Sequence, residues 1–379
     1  MKEINLALVG AGFIGRSHAL AIHAVNHVFP DCPARARAFI LAENTAERAR
    51  EAARLLGFEQ STGDWEEAVD RADAVIIAAP SMLHAPVTER AIMRKKPVLC
   101  EKPVGLCAAE AARLADLAGA AGVVHAVGFT YARLPLVRHA RTLIESGQLG
   151  RVLHVRGRHA EDYLADPKAP HNWRLSAASA GRYGALGDLG YHILAVLRLL
   201  CGPIAELSGN VSTIFAERPA GGTTLAVENE DYASALLRFD SGAVGTIETS
   251  RVALGRKMDV SFEIVCEGGT LVFDGERMNE LRLYEAGQPV DVQGFRTILA
   301  NASHPDYAGF LPAPGHQIGF NDLKTIELRA FLEGIASGRP VAPDLRDAAC
   351  ISRICDAILD SSATGTRIAD PENYERPAA

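Results

Sequence analysis

Residues Ile4–Gly15 read INLALVGAGFIG, a short apolar run that ends in a cluster of glycines at positions 10, 12 and 15. The run has the length and composition of a buried strand, and from Phe13 to His27 the apolar residues recur at helical spacing. The glycines therefore fall where a strand turns into a helix, which is the context a GxGxxG motif needs in order to mean anything. There the first glycine allows a tight turn, the second lets a pyrophosphate approach the backbone, and the third packs helix on strand. The opening turn of the helix adds unpaired N–H groups and the positive end of its dipole. Gly10, Gly12, Phe13, Ile14 and Gly15 are accordingly the candidate phosphate contacts of a dinucleotide.

Working outward, AFILAE, AVIIAAP and KPVLCEKP are further short apolar runs, separated by TAERAREAARLLG and APVTERAIMRKK, whose apolar positions have helical spacing. Strand-helix alternation up to about Ala126 implies an α/β Rossmann domain, a doubly wound parallel sheet with right-handed crossovers, over residues 1–126. The second strand ends on Glu43, whose carboxylate suits both ribose hydroxyls of the adenosine and whose charge repels a 2′-phosphate, so NAD is expected over NADP. Arg48 keeps NADP as the weaker option. The distance from Gly15 to Glu43 exceeds the usual ~20 residues, and the excess is assigned to the loop FPDCPAR, expected on the adenosine side. From Arg151 the runs lie closer together, and FDSGAVG and CEGGTLVF carry turn glycines between strands, which reads as hairpins of an open, largely antiparallel sheet. Residues 127–379 are therefore an expected α+β domain for substrate binding and oligomerisation, with the helix-rich tail packing back on the body.

Composition narrows the class. A chain of 379 residues with net charge −7 and 22% charged residues is globular, and its short basic clusters are not a nucleic-acid footprint. Seven cysteines without a CxxC pair are expected to be free thiols of a cytoplasmic protein. No run approaches the ~20 apolar residues of a membrane span.

Two stretches carry proton chemistry. In VLCEKPVG, Val98–Gly105, Lys102 stands at the end of an apolar run, where desolvation favours its neutral form; taken alone, Glu-Lys-Pro also reads as a loop with a solvated lysine. In GDLGYH, Gly187–His192, Asp188 and His192 are spaced to share one helix face, and a carboxylate beside an imidazole fixes its tautomer and raises its basicity. The same hexapeptide also reads as an N-terminal helix acid with a core histidine. No HExxH or matched third ligand points to a metal. The proline-punctuated loop EDYLADPKAPHNWR offers Asp166, His171, Trp173 and Arg174 for a polyhydroxylated ligand, the indole covering an apolar ring face.

With GAGFIGRSHA, AAPSMLHAPVTERA, VLCEKPVG, GFTYARLP and GDLGYH in this order, the chain resembles the glucose-fructose oxidoreductase, inositol dehydrogenase and rhizopine catabolism family, Gfo/Idh/MocA. GRYGALGDLGYH, VENEDYASALLRFDSGAVGTIETSRVALGRK and HPDYAGFLPAPGHQIGFNDLKTIE look like its branch of scyllo-inositol and L-glucose dehydrogenases, with levoglucosan dehydrogenase as a cousin. The resemblance implies NAD-dependent oxidation of a secondary hydroxyl of a cyclic polyol or pyranose. It also implies that Ala79, Pro80, Ser81, His84, Glu101 and Lys102 surround the cofactor, and that Lys102, Asp188 and His192 converge on one substrate carbon. Lys102 or His192 is the proton acceptor on this reading. The resemblance further implies that Tyr131 faces the substrate, that a cis bond precedes Pro103, and that the chain assembles as a homotetramer. Ser81 and Thr130 depart from the family's usual Asn at both places. Within His304–Asp322, an arm without a regular pattern, His316 is expected to reach a substrate hydroxyl, in its own subunit or a neighbour's. Two other classes share these motifs: a non-catalytic NAD- or substrate-binding protein, and a glycoside-cleaving enzyme that oxidises transiently.

Overall fold

The computed structural model describes residues 2–310, 313 and 315–376. The chain divides into two compact units, residues 1–130 with 318–349, and residues 131–317 with 350–379.

In unit 1 the strands are β1 (Lys2–Val9), β2 (Ala34–Ala42), β3 (Gln60–Thr62), β4 (Ala74–Ile77), β5 (Val98–Cys100) and β6 (His125–Val127). They form one parallel sheet in the order β3-β2-β1-β4-β5-β6. The helices α1 (Phe13–Val28), α2 (Ala46–Leu56), α3 (Trp65–Arg71), α4 (His84–Met93) and α5 (Ala108–Ala121) are the crossovers. Helices cover both faces, so strands such as AVII of β4 are buried at every position. The strand order reverses between β1 and β4, which opens a crevice at their carboxyl ends, the position where such sheets bind nucleotides. The sheet bears out the expected Rossmann architecture. One detail differs: the loop FPDCPAR leads into the amino end of β2, opposite to the crevice, so it is not on the adenosine side. The long spacing from Gly15 to Glu43 comes instead from the lengths of α1 and β2, which span residues 13–28 and 34–42.

Unit 2 opens with α6 (Pro135–Glu145) and β7 (Val152–Ala160), and later carries α7 (Ala177–Ala180) and α8 (Tyr191–Cys201). Its other strands are β8 (Ile204–Ser212), β9 (Glu217–Ala220), β10 (Thr223–Ala226), β11 (Tyr232–Phe239), β12 (Val244–Ser250), β13 (Asp259–Cys266), β14 (Gly269–Phe273), β15 (Glu280–Glu285), β16 (Arg296–Leu299) and β17 (Ile368–Ala369). Eight of these and β7 form a sheet in the order β16-β15-β14-β13-β7-β12-β11-β8-β17, antiparallel except for the β7–β12 pair, while β9 and β10 form a separate hairpin. The turns in FDSGAVG and CEGGTLVF join β11 to β12 and β13 to β14, as their glycines imply. Alternating burial along β11 and β13 shows one face packed and the other open. Helix α8 packs on the closed face at Gly157 of β7, where a Cβ would stand 2.7 Å from a Leu197 methyl and 3.0 Å from Ile193.

Two long helices precede the last strand β17, α9 (Phe320–Ser337) and α10 (Leu345–Thr364). Residues 318–349, expected with the second domain, cluster with unit 1, where Val341 bridges β6 at Ala126 and Val127 donates to the Pro343 carbonyl. The start of the arm His304–Asp322 is anchored within unit 2: Tyr307 is buried and donates to Asn279 Oδ1 at 2.7 Å, and its hydroxyl also reaches the His316 carbonyl at 3.3 Å. The His316 side chain is exposed, and Leu311, Pro312 and Pro314 of the arm lie outside the described residues.

Candidate active site

The nucleotide side is built in unit 1. Gly10 adopts φ +95°, and a Cβ there would stand 2.7 Å from the Ala78 carbonyl oxygen of the neighbouring strand end; a Cβ on Gly15 would overlap the Gly10 carbonyl. Around Gly12 a Cβ would meet nothing within 4 Å, so this face of the turn is open. Helices α2 and α3 are capped by side chains, Thr45 receiving the Arg48 N–H at 3.3 Å and Asp64 the Glu66 N–H at 2.9 Å. Helix α1 instead starts on Gly12 with no side-chain cap and no acidic residue in its first turn. Its amino-terminal N–H groups are thus available to an anionic ligand, as a pyrophosphate cradle requires. Phe13 is exposed and stacks on Phe320 with centroids 6.0 Å apart, and Ile14 is half-buried.

Glu43 leaves β2 with Oε1 accepting the Ala11 N–H at 2.8 Å and Oε2 lying 3.8 Å from Arg48 Nε. The acid is therefore tied to the glycine turn itself, which fixes it beside the crevice. After β4, Ala79, Pro80 and Ser81 enter a short 3-10 turn, in which Ser81 is buried. His84 follows, buried, with Nε2 2.7 Å from the Ala79 carbonyl and Nδ1 2.7 Å from that of Pro103. Burial pushes its pKa down, so the neutral ring donates to one of these carbonyls; either way it braces the Ala79 turn against the Lys102 turn. Both ring nitrogens face protein carbonyls, which makes His84 a support for the cofactor loops.

The Lys102–Pro103 peptide is cis. The preceding Glu101 is buried and its carboxylate turns inward, accepting from His18 Nε2 at 2.8 Å and from the Lys324 ammonium. Burial alone would raise this carboxyl, but the Lys324 and His18 contacts outweigh it and hold its pKa well below the usual range. Burial pushes the neighbouring Cys100 thiol up to about 12, so it is not a nucleophile at neutral pH. All seven cysteines are free.

The candidate proton-handling residues Asp188 and His192 lie in unit 2. Leu186–Gly190 forms a π-helical turn that runs into α8, and wide turns of this kind recur at functional sites. Asp188 lies in that turn and His192 in the first turn of α8. The Asp188 Oδ2 accepts from the Tyr163 hydroxyl at 2.7 Å and lies 3.4 Å from Arg174 Nε. The Arg174 guanidinium stacks on Trp173 at 4.4 Å from the ring. His192 is buried against the edge of Tyr131, centroids 4.6 Å apart, and near His159 at 5.7 Å. His159 is itself fixed by the Leu189 carbonyl at 3.0 Å from Nδ1. Behind the turn, Glu230 Oε1 accepts the Gly184 and Leu186 N–H groups at 2.9 and 2.8 Å, while burial raises its pKa. Glu230 thus serves as the cap of the helix that carries Asp188 and His192.

Of the expected substrate residues, the structure brings together Tyr131 with His192, and Arg174, stacked on Trp173, with Asp188. The other two members of the loop are engaged locally: Asp166 Oδ1 accepts the Lys168 N–H at 2.8 Å and closes its own turn, and His171 Nε2 lies 3.2 Å from the Ala226 carbonyl of the β9–β10 hairpin. Tyr163, His159, Glu230, Lys324 and Glu327 were not singled out by the sequence reading. Tyr163 had a signal, since it stands in the same EDYLADP loop as Asp166.

Residues 4–129 match the family described as an oxidoreductase family with an NAD-binding Rossmann fold, and residues 137–272 match the GFO/IDH/MocA C-terminal domain. Levoglucosan dehydrogenase of Pseudarthrobacter phenanthrenivorans is 36% identical to this chain over 98% of its length and 99% of the relative's. The chain belongs to the Gfo/Idh/MocA oxidoreductase family. A solved structure of levoglucosan dehydrogenase in complex with NADH and levoglucosan superposes with TM-score 0.95 at 37% identity, covering 98% of this chain and all (100%) of that one. The scyllo-inositol 2-dehydrogenase (NAD(+)) of Bacillus subtilis is more distant, at 24% identity over 90% of each chain. As a member of this family the protein is an NAD-dependent oxidoreductase, and the open Gly12 turn, the uncapped start of α1 and Glu43 fit NAD. No helix among the described residues is long and apolar enough to cross a membrane.

Proposed function

We propose that the protein oxidises a secondary ring hydroxyl of a pyranose, an anhydrosugar of the levoglucosan type or a related cyclic polyol, to the ketone. The observation that carries this reading is Asp188 held between Tyr163 and Arg174 on the turn that leads to His192, in a chain similar over its full length to a levoglucosan dehydrogenase. Similarity to that enzyme over the full length, at 36% identity, favours anhydrosugars and hexoses over inositols as substrates.

NAD, when bound, supplies the hydride acceptor. The protein's part is to orient the carbinol and remove its proton. In this mechanism His192 accepts the hydroxyl proton, and its packing against Tyr131 and His159 fixes the ring for that task. Lys102, by the family motif, hydrogen-bonds the same oxygen and stabilises the charge that develops there. Asp188 stabilises the protonated state and presents a carboxylate to the sugar, with Arg174 and the Trp173 face beside it. Glu43 and the glycine turn hold the nucleotide.

The test is a panel of levoglucosan, L-glucose, scyllo-inositol and common hexoses with NAD, followed by product identification. One NADH per ketone formed supports the reading. Glycoside cleavage without net NADH refutes it in favour of transient oxidation, and binding without turnover refutes it in favour of a sensor. Lys102→Ala and His192→Ala are expected to lower kcat by ~10²–10⁴ with little change in NAD affinity.

The protein is further proposed to be a cytoplasmic homotetramer. The open face of the nine-stranded sheet carries Leu236 and Val244 at 61% and 42% exposure, apolar residues on strands β11 and β12 that a partner sheet would cover. Light scattering at micromolar concentration decides the assembly. His316, exposed on its arm, is proposed to hydrogen-bond the substrate in its own or a neighbouring subunit. His316→Ala is then expected to raise KM for the sugar about tenfold.

A further inference from the structure

Unit 1 buries a set of charges that neither nucleotide binding nor proton transfer has yet used. Lys324, in the second turn of α9, is 1% exposed, and its ammonium donates to Glu101 and to Glu327 Oε2, the latter at 2.9 Å. His18 of α1 donates from Nε2 to the same Glu101 oxygen at 2.8 Å. The Thr130 hydroxyl reaches Glu327 Oε1 at 3.4 Å. Gly128 leaves room for the Glu101 carboxylate, since a Cβ there would stand 2.6 Å from Oε2. Four segments thus meet on one carboxylate: the helix of the glycine turn, the turn after β5, the turn after β6, and α9.

The ligand atoms of His18, Glu101 and Glu327 lie within 4.8 Å of one another, a spacing that a metal could use. The Lys324 ammonium bonds both carboxylates, however, and already supplies the positive charge they need. Stability does not explain the cluster either. A buried lysine between two glutamates is commonly replaceable by well-packed apolar residues at no loss of stability, because desolvating the charges cancels much of their attraction. What apolar packing would not reproduce is a fixed direction for Glu101, the residue immediately before Lys102.

We propose that Lys324 is a positioning residue for Lys102: by holding the Glu101 carboxylate, together with His18, it fixes the turn from which Lys102 projects. This inference rests on the role given to Lys102 above. It also explains why one carboxylate receives donors from both α1 and α9, since the same anchor locks the Lys102 turn to the helix that begins at the glycine turn.

The test is epistasis in turnover. Lys324→Met combined with Glu327→Gln removes one positive and one negative charge, so the buried net charge is unchanged and the Glu101 carboxylate keeps His18 as its donor. With circular dichroism matching the parent, kcat is expected to fall about 10–100-fold, the scale of a small misplacement of a reacting group, while KM for NAD stays within about threefold. Introduced into Lys102→Ala, the same pair is expected to change kcat by less than about twofold, because a residue that acts through Lys102 has nothing left to position. His18→Leu removes the second donor without stranding a charge; it should lower kcat about 3–10-fold in the parent and leave Lys102→Ala unchanged. This variant carries the test if the double variant is insoluble. Parent-like kcat in the double variant, or the same fold loss in both backgrounds, overturns the positioning role while leaving Lys102 in place. Parent-like kcat in Lys102→Ala alone overturns the role of Lys102 and the positioning role with it.

Discussion

Replacing Glu43 separates two jobs that its carboxylate holds at once. Oε1 receives the Ala11 N–H at 2.8 Å, and the side chain, 14% exposed, faces the end of β2 where the adenosine ribose of NAD belongs. Glu43→Gln keeps an oxygen for the Ala11 N–H and loses the charge. Glu43→Ser loses the charge and, being shorter, also the bond to the glycine turn. A hydrogen bond to a charged group contributes about 1.5–3 kcal/mol, so kcat/KM for NAD is expected to fall about 10–100-fold in Glu43→Ser. A 2′-phosphate placed about 5 Å from the carboxylate in a largely aqueous crevice is repelled by ~1–2 kcal/mol, and either substitution relieves this. NADP should therefore gain about tenfold in both variants, with Arg48, now without its carboxylate neighbour at 3.8 Å, able to meet the phosphate. Initial rates of reduced nicotinamide formation with each cofactor measure both effects. A parent enzyme that prefers NADP, or a Glu43→Ser variant with an unchanged NAD to NADP ratio, refutes the reasoning.

Three further outcomes follow from the geometry. Tyr163→Phe and Arg174→Met each remove one partner of the Asp188 carboxylate and should raise KM for the sugar several-fold, roughly 3–10-fold, with KM for NAD unchanged, as steady-state kinetics will show. Gly15→Ala drives a Cβ into the Gly10 carbonyl, so calorimetric titration should find NAD binding weakened by about tenfold or more while unit 2 keeps its thermal transition. Glu230 has its carboxyl pKa raised by burial, so the fold prefers it protonated, and that contribution is lost as pH rises from the unfolded value of about 4.3 through the higher folded one. Glu230→Gln keeps an acceptor for the Gly184 and Leu186 N–H groups, so its melting temperature at pH 8 should equal or exceed the parent's and depend less on pH, as a melting series between pH 5 and 8 will show.

Much of the fold and half of the candidate site were legible because they are written in local pattern. The strand, glycines and helix of residues 4–28 specify their own turn, and Glu43 closes it from the next strand end. The hairpins of unit 2 were legible from their turn glycines for the same reason. The loop FPDCPAR was misplaced because length alone does not say which end of a parallel sheet a loop occupies. Strand polarity does, and a loop that leads into β2 must lie at its amino end. The loop EDYLADPKAPHNWR shows the limit of composition. Its polar residues were all plausible ligand contacts, yet Asp166 and His171 satisfy backbone groups of their own loop and hairpin, while Tyr163, read only as part of the loop, meets Asp188.

The Lys324 cluster was illegible for a different reason. Helical amphipathicity locates a buried face only when another face is solvated, but residues Leu323 through Leu328 are all buried, charged ones included. In such a turn Lys324 and Glu327 have the i, i+3 spacing of an ordinary surface ion pair, and their partner Glu101 lies 223 positions away. Pattern within the helix could say only that two charges are neighbours. That they are buried, and that a third charge beside Lys102 joins them, depends on α9 returning to pack on α1. The family motif identified Lys102 by its neighbours in sequence. What fixes its turn comes from residues at the two ends of unit 1, His18 and Lys324, and that long-range arrangement is what the double variant in the Lys102→Ala background measures.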